Sequence, residues 1–309
     1  MKTRAPFSLA TFAWLVLFYN VLVILWGAYV RATGSGAGCG AHWPLCNGEM
    51  VPRAPSAEML VEFSHRLSSG FALIAVVMLA IWVWRQVAAP HPARRAAIAS
   101  VAFIVTEALL GAALVLFRLV ARDESLARAM VMPLHLVNTL ALLLCLTLTA
   151  YWLSGGAPVS VSRRVRAFGM FIGVFVLFAA VGKTGAIAAL GDTLYPATSL
   201  TAGLTADLSS TGSLLLRLRL LHPALGVAVG LVLIYAVASV PIDPRQRAGQ
   251  AARRLVIVLT TAQVGLGFVN VWLLAPVWMQ LLHLAVADLL WIALVVTAAA
   301  ALAAPDAAA

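Results

Sequence analysis

Charge is what this sequence has least of. Across 309 residues only 10% are Asp, Glu, Lys or Arg, while 63% are hydrophobic. A soluble domain carries roughly 45–50% apolar and about 25% charged residues. That deficit excludes a soluble enzyme and a disordered protein, because no water-soluble core hides this much apolar side chain. Acids are scarcer than bases, 11 against 21, giving a net charge of +10. In so apolar a chain the excess reads as loop topology signals rather than as a nucleic-acid surface. Cysteine is also sparse: three residues are too few for a disulfide scaffold. The alternating pattern of a membrane barrel is missing, so the apolar segments are read as helices.

A spanning helix needs about 20 apolar residues. Eight runs qualify: 8–30, 63–84, 96–117, 130–153, 167–190, 219–240, 254–274 and 277–302. The first is longer than a signal-peptide core and no small-x-small site clearly follows it, so it is read as retained. With the N-terminus in the cytoplasm, inner segments hold 12 of the 21 Lys and Arg residues. They include Lys2, Arg4 and the Arg163, Arg164, Arg166 cluster. The bias favours both termini inside.

The chain reads as a duplication. Gly27 matches Gly182, Glu107-x-x-x-Gly111 matches Gln263-x-x-x-Gly267, His65 matches His222, and His135 matches His283. Four helices per half make the repeat parallel, with an axis along the membrane normal. The expected fold is an all-α membrane protein. Its eight transmembrane helices form two parallel-repeat four-helix bundles, 1–160 and 161–309, with both termini cytoplasmic.

Six histidines are present. His42 and His91 fall in loops and are read as solvated. His65, His135, His222 and His283 fall near the outer starts of helices two, four, six and eight. Intramembrane ionisable groups are costly and default to function. Four at matched depth in a duplicated frame suit two haem sites, each iron held by an imidazole pair within a bundle. Zinc fits less well, lacking a clear third or fourth ligand. Arg31, Arg66, Arg217 and Arg219 cluster at the outer helix ends and suit haem propionates, or mark the membrane interface. Glu62 lies three residues before His65, on the same helical face. It could move protons or stabilise cationic charge, or be a helix-start acid favoured by the dipole. The matching position is Arg219. Cys39 and Cys46 in the first outer loop could close a disulfide or act as an exchanging dithiol. Cys145 is read as packing. Glu107 and Asp288, inside helices, have no assignable partner from sequence.

The segments Gly27-Ala-Tyr-Val-Arg31-Ala-Thr-Gly-Ser-Gly-Ala-Gly-Cys39, Trp43-Pro44-Leu45-Cys46-Asn47-Gly48 and Glu62-Phe-Ser-His65-Arg66 resemble haem A synthase. The resemblance covers the whole chain and is most specific in the first half. It implies oxidation of a ring methyl of haem O to a formyl group, by way of a hydroxymethyl stage, supplying haem A to terminal cytochrome oxidases. It implies that His222 and His283 ligate a resident haem b iron. It also implies that His65, His135 and Glu62 form the haem O site. Two departures stand out. Pro223 follows the sixth-helix histidine where the family often has Arg, leaving Arg219 or Arg217 to stand in. The outer loop between helices five and six lacks the second cysteine pair that some members carry. The implied location is the plasma (inner) membrane, multi-pass, with the Cys39/Cys46 loop and both haem sites toward the outer face. The implied partners are haem O and haem A, membrane lipid, haem O synthase and cytochrome oxidase assembly factors, with homo-oligomerisation left open and no nucleic acid. A di-haem b cytochrome that only passes electrons shares the histidine helices, and a parallel-repeat transporter shares the buried acids.

Overall fold

A computed structural model describes residues 8–162, 164–209 and 213–303, without the side chain of Leu214. Lys2, Arg4 and Arg163, which entered the topology argument, lie outside the described residues, as do both termini. The order is α1 (Leu9–Ala32), a 3-10 turn (Ser35–Ala37), α2 (Ala57–Gln86), α3 (Pro92–Leu116), α4 (Leu126–Leu153), α5 (Val165–Leu194), α6 (Leu200–Leu208), α7 (Leu214–Arg219), α8 (Leu221–Ser239), α9 (Arg247–Trp272) and α10 (Val277–Ala301). Eight stretches are long and apolar enough to cross a membrane, with Leu215–Ser239 running through α7 and α8 as one span. Leu220, between them, keeps helical angles. The expected eight spans are therefore all present as helices.

The helix starts differ from the apolar runs. α2 begins at Ala57 and α4 at Leu126, ahead of the runs that open near 63 and 130. The reason is capping. Ser56 Oγ accepts the Met59 N–H and Ser125 Oγ accepts the Arg128 N–H, so polar first turns join the helix. Hydropathy skips those turns. The consequence is that His65 and His135 sit a turn or more deeper than the apolar runs imply. α3 starts on His91 with Pro92 at its first position, where a missing N–H costs nothing.

α1 packs on α2 and α4, α2 on α3, and α3 on α4. In the second half α5 packs on α8, α8 on α9, and α9 on α10. Helices α1, α4, α5 and α10 meet between these groups. α10 is central: from Leu290 to Ala303 nearly every apolar side chain is buried. Its small Ala298–Ala301 run permits close helix approach, the usual device where lipid offers no hydrophobic drive. Trp291 ties the groups together. Its indole N–H donates to the Leu140 carbonyl of α4 at 2.8 Å, and Phe175 of α5 meets its ring edge-on at 5.1 Å. Outward-facing Phe18, Phe71, Met78, Leu109, Val176 and Phe268 stay exposed, as lipid-facing side chains do.

Candidate functional site: four imidazoles seated on glycines

Each of the four helix histidines lies against a glycine of the preceding spanning helix. A methyl group added at Gly27 of α1 would stand 2.9 Å from His65 Cε1. One at Gly185 of α5 would stand 2.9 Å from His222 Cε1. At Gly267 of α9 the distance to His283 Cε1 is 3.4 Å, and at Gly111 of α3 it is 3.9 Å to His135 Cε1. Glycine is required at Gly27 and Gly185, where the Cε1 edge of the ring comes too close for a methyl group, while at Gly267 and Gly111 a methyl would make ordinary contact. The sequence match of Gly27 to Gly182 is thus off by one turn. Gly182 faces Leu136, and Gly185 is the counterpart that meets the histidine.

Two of the histidines also meet each other. His222 and His283 have ring centroids 6.2 Å apart with planes at 88°. Three of the rings have a polar side chain beside one nitrogen, and it differs each time. Thr184 Oγ1 is 3.2 Å from His222 Nδ1, Gln263 Nε2 is 3.1 Å from His283 Nε2, and Glu107 Oε1 is 3.3 Å from His135 Nδ1. Buried Nδ1 atoms of His65, His135 and His283 make no hydrogen bond.

These residues fit a metal-centred planar group. Two imidazole nitrogens each about 2 Å from one first-row metal ion place the ring centroids about 6 Å apart. The His222–His283 separation meets that requirement, and the glycines give the imidazoles their seats. A porphyrin brings its own four equatorial donors and asks the protein for axial ligands. Among the described residues no group of three or more His, Cys, Asp and Glu converges.

The arginines are less free than their sequence positions imply. Arg66 donates Nε and Nη2 to Glu62 Oε1, at 3.1 and 2.5 Å, and Nη1 to the His42 and Leu45 carbonyls. Arg219 donates to Asp192 at 2.8 Å and to Asp207 of α6 at 2.5 Å. The short helix α6, capped by Ser199, was not signalled by hydropathy; its Asp207 is what anchors it on Arg219. Arg31 spans helices: Nη1 donates to the Ala189 carbonyl and Thr193 hydroxyl of α5, and Nη2 to Gln280 of α10, all at 2.8 Å. Arg217 is exposed.

Glu62 is buried, 3% exposed, and is turned toward the first outer loop. Its Oε2 accepts the Cys39 N–H at 2.8 Å while Oε1 holds Arg66. Cys39 and Cys46 are joined as a disulfide, and both are buried. Glu62, Arg66 and the disulfide therefore form one unit that fastens the loop over the His65 end of α2. His42 of that loop is exposed, and His91 caps α3 through its ring nitrogen. Closing so short a loop is worth about 2 kcal/mol on an entropic account. In unreduced membranes Cys39 and Cys46 are expected to resist a thiol label and to react after reduction. Labelling of both before reduction would refute the bridge.

Glu107 is the functional candidate that sequence reasoning left unassigned. It faces His135, and Thr139 and Asn138 of α4 both donate to it. The duplicated Glu/Gln-x-x-x-Gly pattern was the signal. Positions four apart share a helix face, so acid or amide and glycine meet the same imidazole. Asp288 is 3% exposed in α10, with its Oδ2 unpartnered.

Eight helices long and apolar enough to cross a membrane, four of them carrying a histidine set against a glycine of the preceding span, fit a multi-pass helical membrane protein. The chain belongs to the COX15-CtaA family of cytochrome oxidase assembly proteins, which it matches over residues 10–295. It is 47% identical over 306 residues to a protein named protoheme IX farnesyltransferase from Thermus thermophilus, covering 98% of this chain and 50% of that protein. It is 37% identical over 182 residues to a heme A synthase from Halalkalibacterium halodurans, 58% of each chain. A heme A synthase from Alkalihalophilus pseudofirmus is 45% identical over 97 residues, 31% of this chain and 33% of that protein. The chain spans about half the length of the curated relatives it matches.

Proposed function

We propose that this protein is a haem A synthase, oxidising a ring methyl of haem O through a hydroxymethyl to the formyl group of haem A. The observation that carries the reading is the doubled histidine–glycine geometry with an acid-fastened disulfide loop on one copy alone. Two equal sites would suit a cytochrome that only passes electrons. Two unequal sites, one under a disulfide-closed loop and one under a short helix anchored on Arg219, suit a resident cofactor beside a substrate.

In this reading residues 161–309 hold haem b on His222 and His283, and residues 1–160 hold haem O on His65 and His135. The halves are parallel-repeat bundles with both sites toward the outer face of the plasma membrane and both termini cytoplasmic. Bound iron supplies the redox chemistry. The protein's own residues would bind and orient the haem: the glycines seat the imidazoles, the imidazoles would hold the iron, and the Glu62 carboxylate, at present engaged by Cys39 N–H and Arg66, is assigned the proton. Propionates fall to Arg31, whose present acceptors are all neutral, and to exposed Arg217. Arg66 and Arg219 act at one remove, by holding the outer loops. The isoprenoid tail of haem O is left to the apolar helix faces and lipid.

The names of the shorter relatives support this activity. The Thermus protein's name speaks of attaching a farnesyl tail to protohaem IX, and half of that protein has no counterpart here. Farnesyl transfer is therefore not carried over; the name supports a haem O synthase as the partner supplying substrate. Pigment extraction tests the reading. The purified protein is expected to yield haem B together with haem O, haem A or the hydroxymethyl form. Haem B alone would support the electron-passing cytochrome instead, and no haem would overturn both.

A further inference from the structure

The two halves place a different group at one equivalent position. In α3, Glu107 and Gly111 both face His135; in α9, Gln263 and Gly267 both face His283. The repeat has kept the place and changed its charge.

Glu107 is held as an acceptor. The Thr139 hydroxyl donates to Oε1 and the Asn138 amide donates to Oε2 at 2.5 Å, while His135 Nδ1 stands 3.3 Å from Oε1. That contact lacks hydrogen-bond geometry, so the carboxylate acts on the ring through its charge, from the side away from Nε2. A carboxylate behind a ligating imidazole fixes the ring and increases its donor strength. Behind His283 the group is a neutral amide. Gln263 Nε2 lies 3.1 Å from His283 Nε2, the other ring nitrogen from the one Glu107 faces on His135, so the nitrogen away from the amide is Nδ1; Gln263 Oε1 has no partner. An amide in that place cannot strengthen the ligand as a carboxylate does.

We infer that Glu107 is a positioning residue that makes His135 the stronger donor, and that the Glu107/Gln263 difference holds the first-half haem at a lower reduction potential than the second-half haem. This rests on the histidine-pair reading above. A stronger donor stabilises the higher oxidation state of the metal, so the site that must oxidise its occupant keeps the more electron-rich ligand set. The other haem stays easier to reduce.

The test is a redox titration of the low-spin bands, using full-length protein supplemented with haem B so that both pairs are filled. Glu107→Gln should favour reduction of the first-half haem by about tenfold at a given potential, a rise of about 59 mV for one electron. The second-half haem should not move. Gln263→Glu should shift the second-half haem alone, in the opposite direction. Both variants retaining two low-spin haems with unmoved potentials would overturn the inference and leave the histidine-pair reading standing. A purely structural role for Glu107 predicts that outcome, or haem loss in Glu107→Gln with no shift in Gln263→Glu, which overturns it equally. Wild-type protein that takes up no low-spin haem would overturn the histidine-pair reading itself.

Discussion

Replacing both His222 and His283 with alanine is expected to remove the low-spin absorption of the resident haem. Their ring centroids stand 6.2 Å apart, a separation at which both imidazoles could hold one metal ion. Each is seated against a backbone cleared by a glycine, Gly185 or Gly267, and each has a polar neighbour at one ring nitrogen, Thr184 or Gln263. A ligand set placed this way loses its metal when the imidazoles go, because alanine offers no donor and the neighbours are too far back to substitute. Outer partners alone are typically worth 10–100-fold in metal affinity, so loss of both ligands should exceed about tenfold in haem content. The fold should persist, since the apolar cluster around Leu142, Leu143, Leu146, Trp291 and Leu294 does not include these rings. Low-spin bands undiminished in the double variant, with the His65 and His135 site left empty, would show that the ligands lie elsewhere.

The eight spans were legible because length and hydropathy alone decide them, and the structure forms a helix over each run. The four histidines and the Cys39–Cys46 pair were legible because such residues are rare in so apolar a chain. What was hidden depends on how helices turn toward one another. Glu107 is an acid in a span with several imaginable partners; only the rotation of α3 against α4 aims it at His135. Gly182 and Gly185 are one turn apart on one helix, and sequence matching chose the wrong one because nothing in α5 itself says which meets His222. Arg66 and Arg219 suit propionates by sequence position alone, but folding pairs them with acids, Glu62 on the one side and Asp192 and Asp207 on the other. Their pairing moves the burden of propionate recognition toward Arg31, which reaches from α1 to α5 and α10 and meets only neutral acceptors.

Glu62→Gln is expected to accumulate haem O at the expense of haem A while the haem at His222 and His283 is retained. The proposed chemistry removes hydrogen from a carbon next to the macrocycle and develops positive charge there. A carboxylate can stabilise that charge and accept the proton, help typically worth about 10²–10⁴ in rate; an amide can do neither. The structure adds a competing explanation that must be separated. Both Glu62 oxygens are in use, one by the Cys39 N–H and one by Arg66. Glutamine has one acceptor oxygen, so its amide N–H₂ would face a donor, and losing one such charged hydrogen bond costs about 1.5–3 kcal/mol. If Glu62 only fastens the loop, the variant should expose the Cys39–Cys46 bridge. Mild reduction would then release both thiols faster than in the wild type, and haem A yield would fall only as far as the loop opens. If Glu62 takes part in the chemistry, a variant whose bridge is as slow to reduce as the wild type's should still fail to convert haem O. Arg66→Lys supplies the converse: it loosens the same loop through the His42 and Leu45 carbonyls and leaves the carboxylate in place. It should retain most conversion. Wild-type haem A yield in Glu62→Gln cells would leave this residue as the anchor of a loop and nothing more.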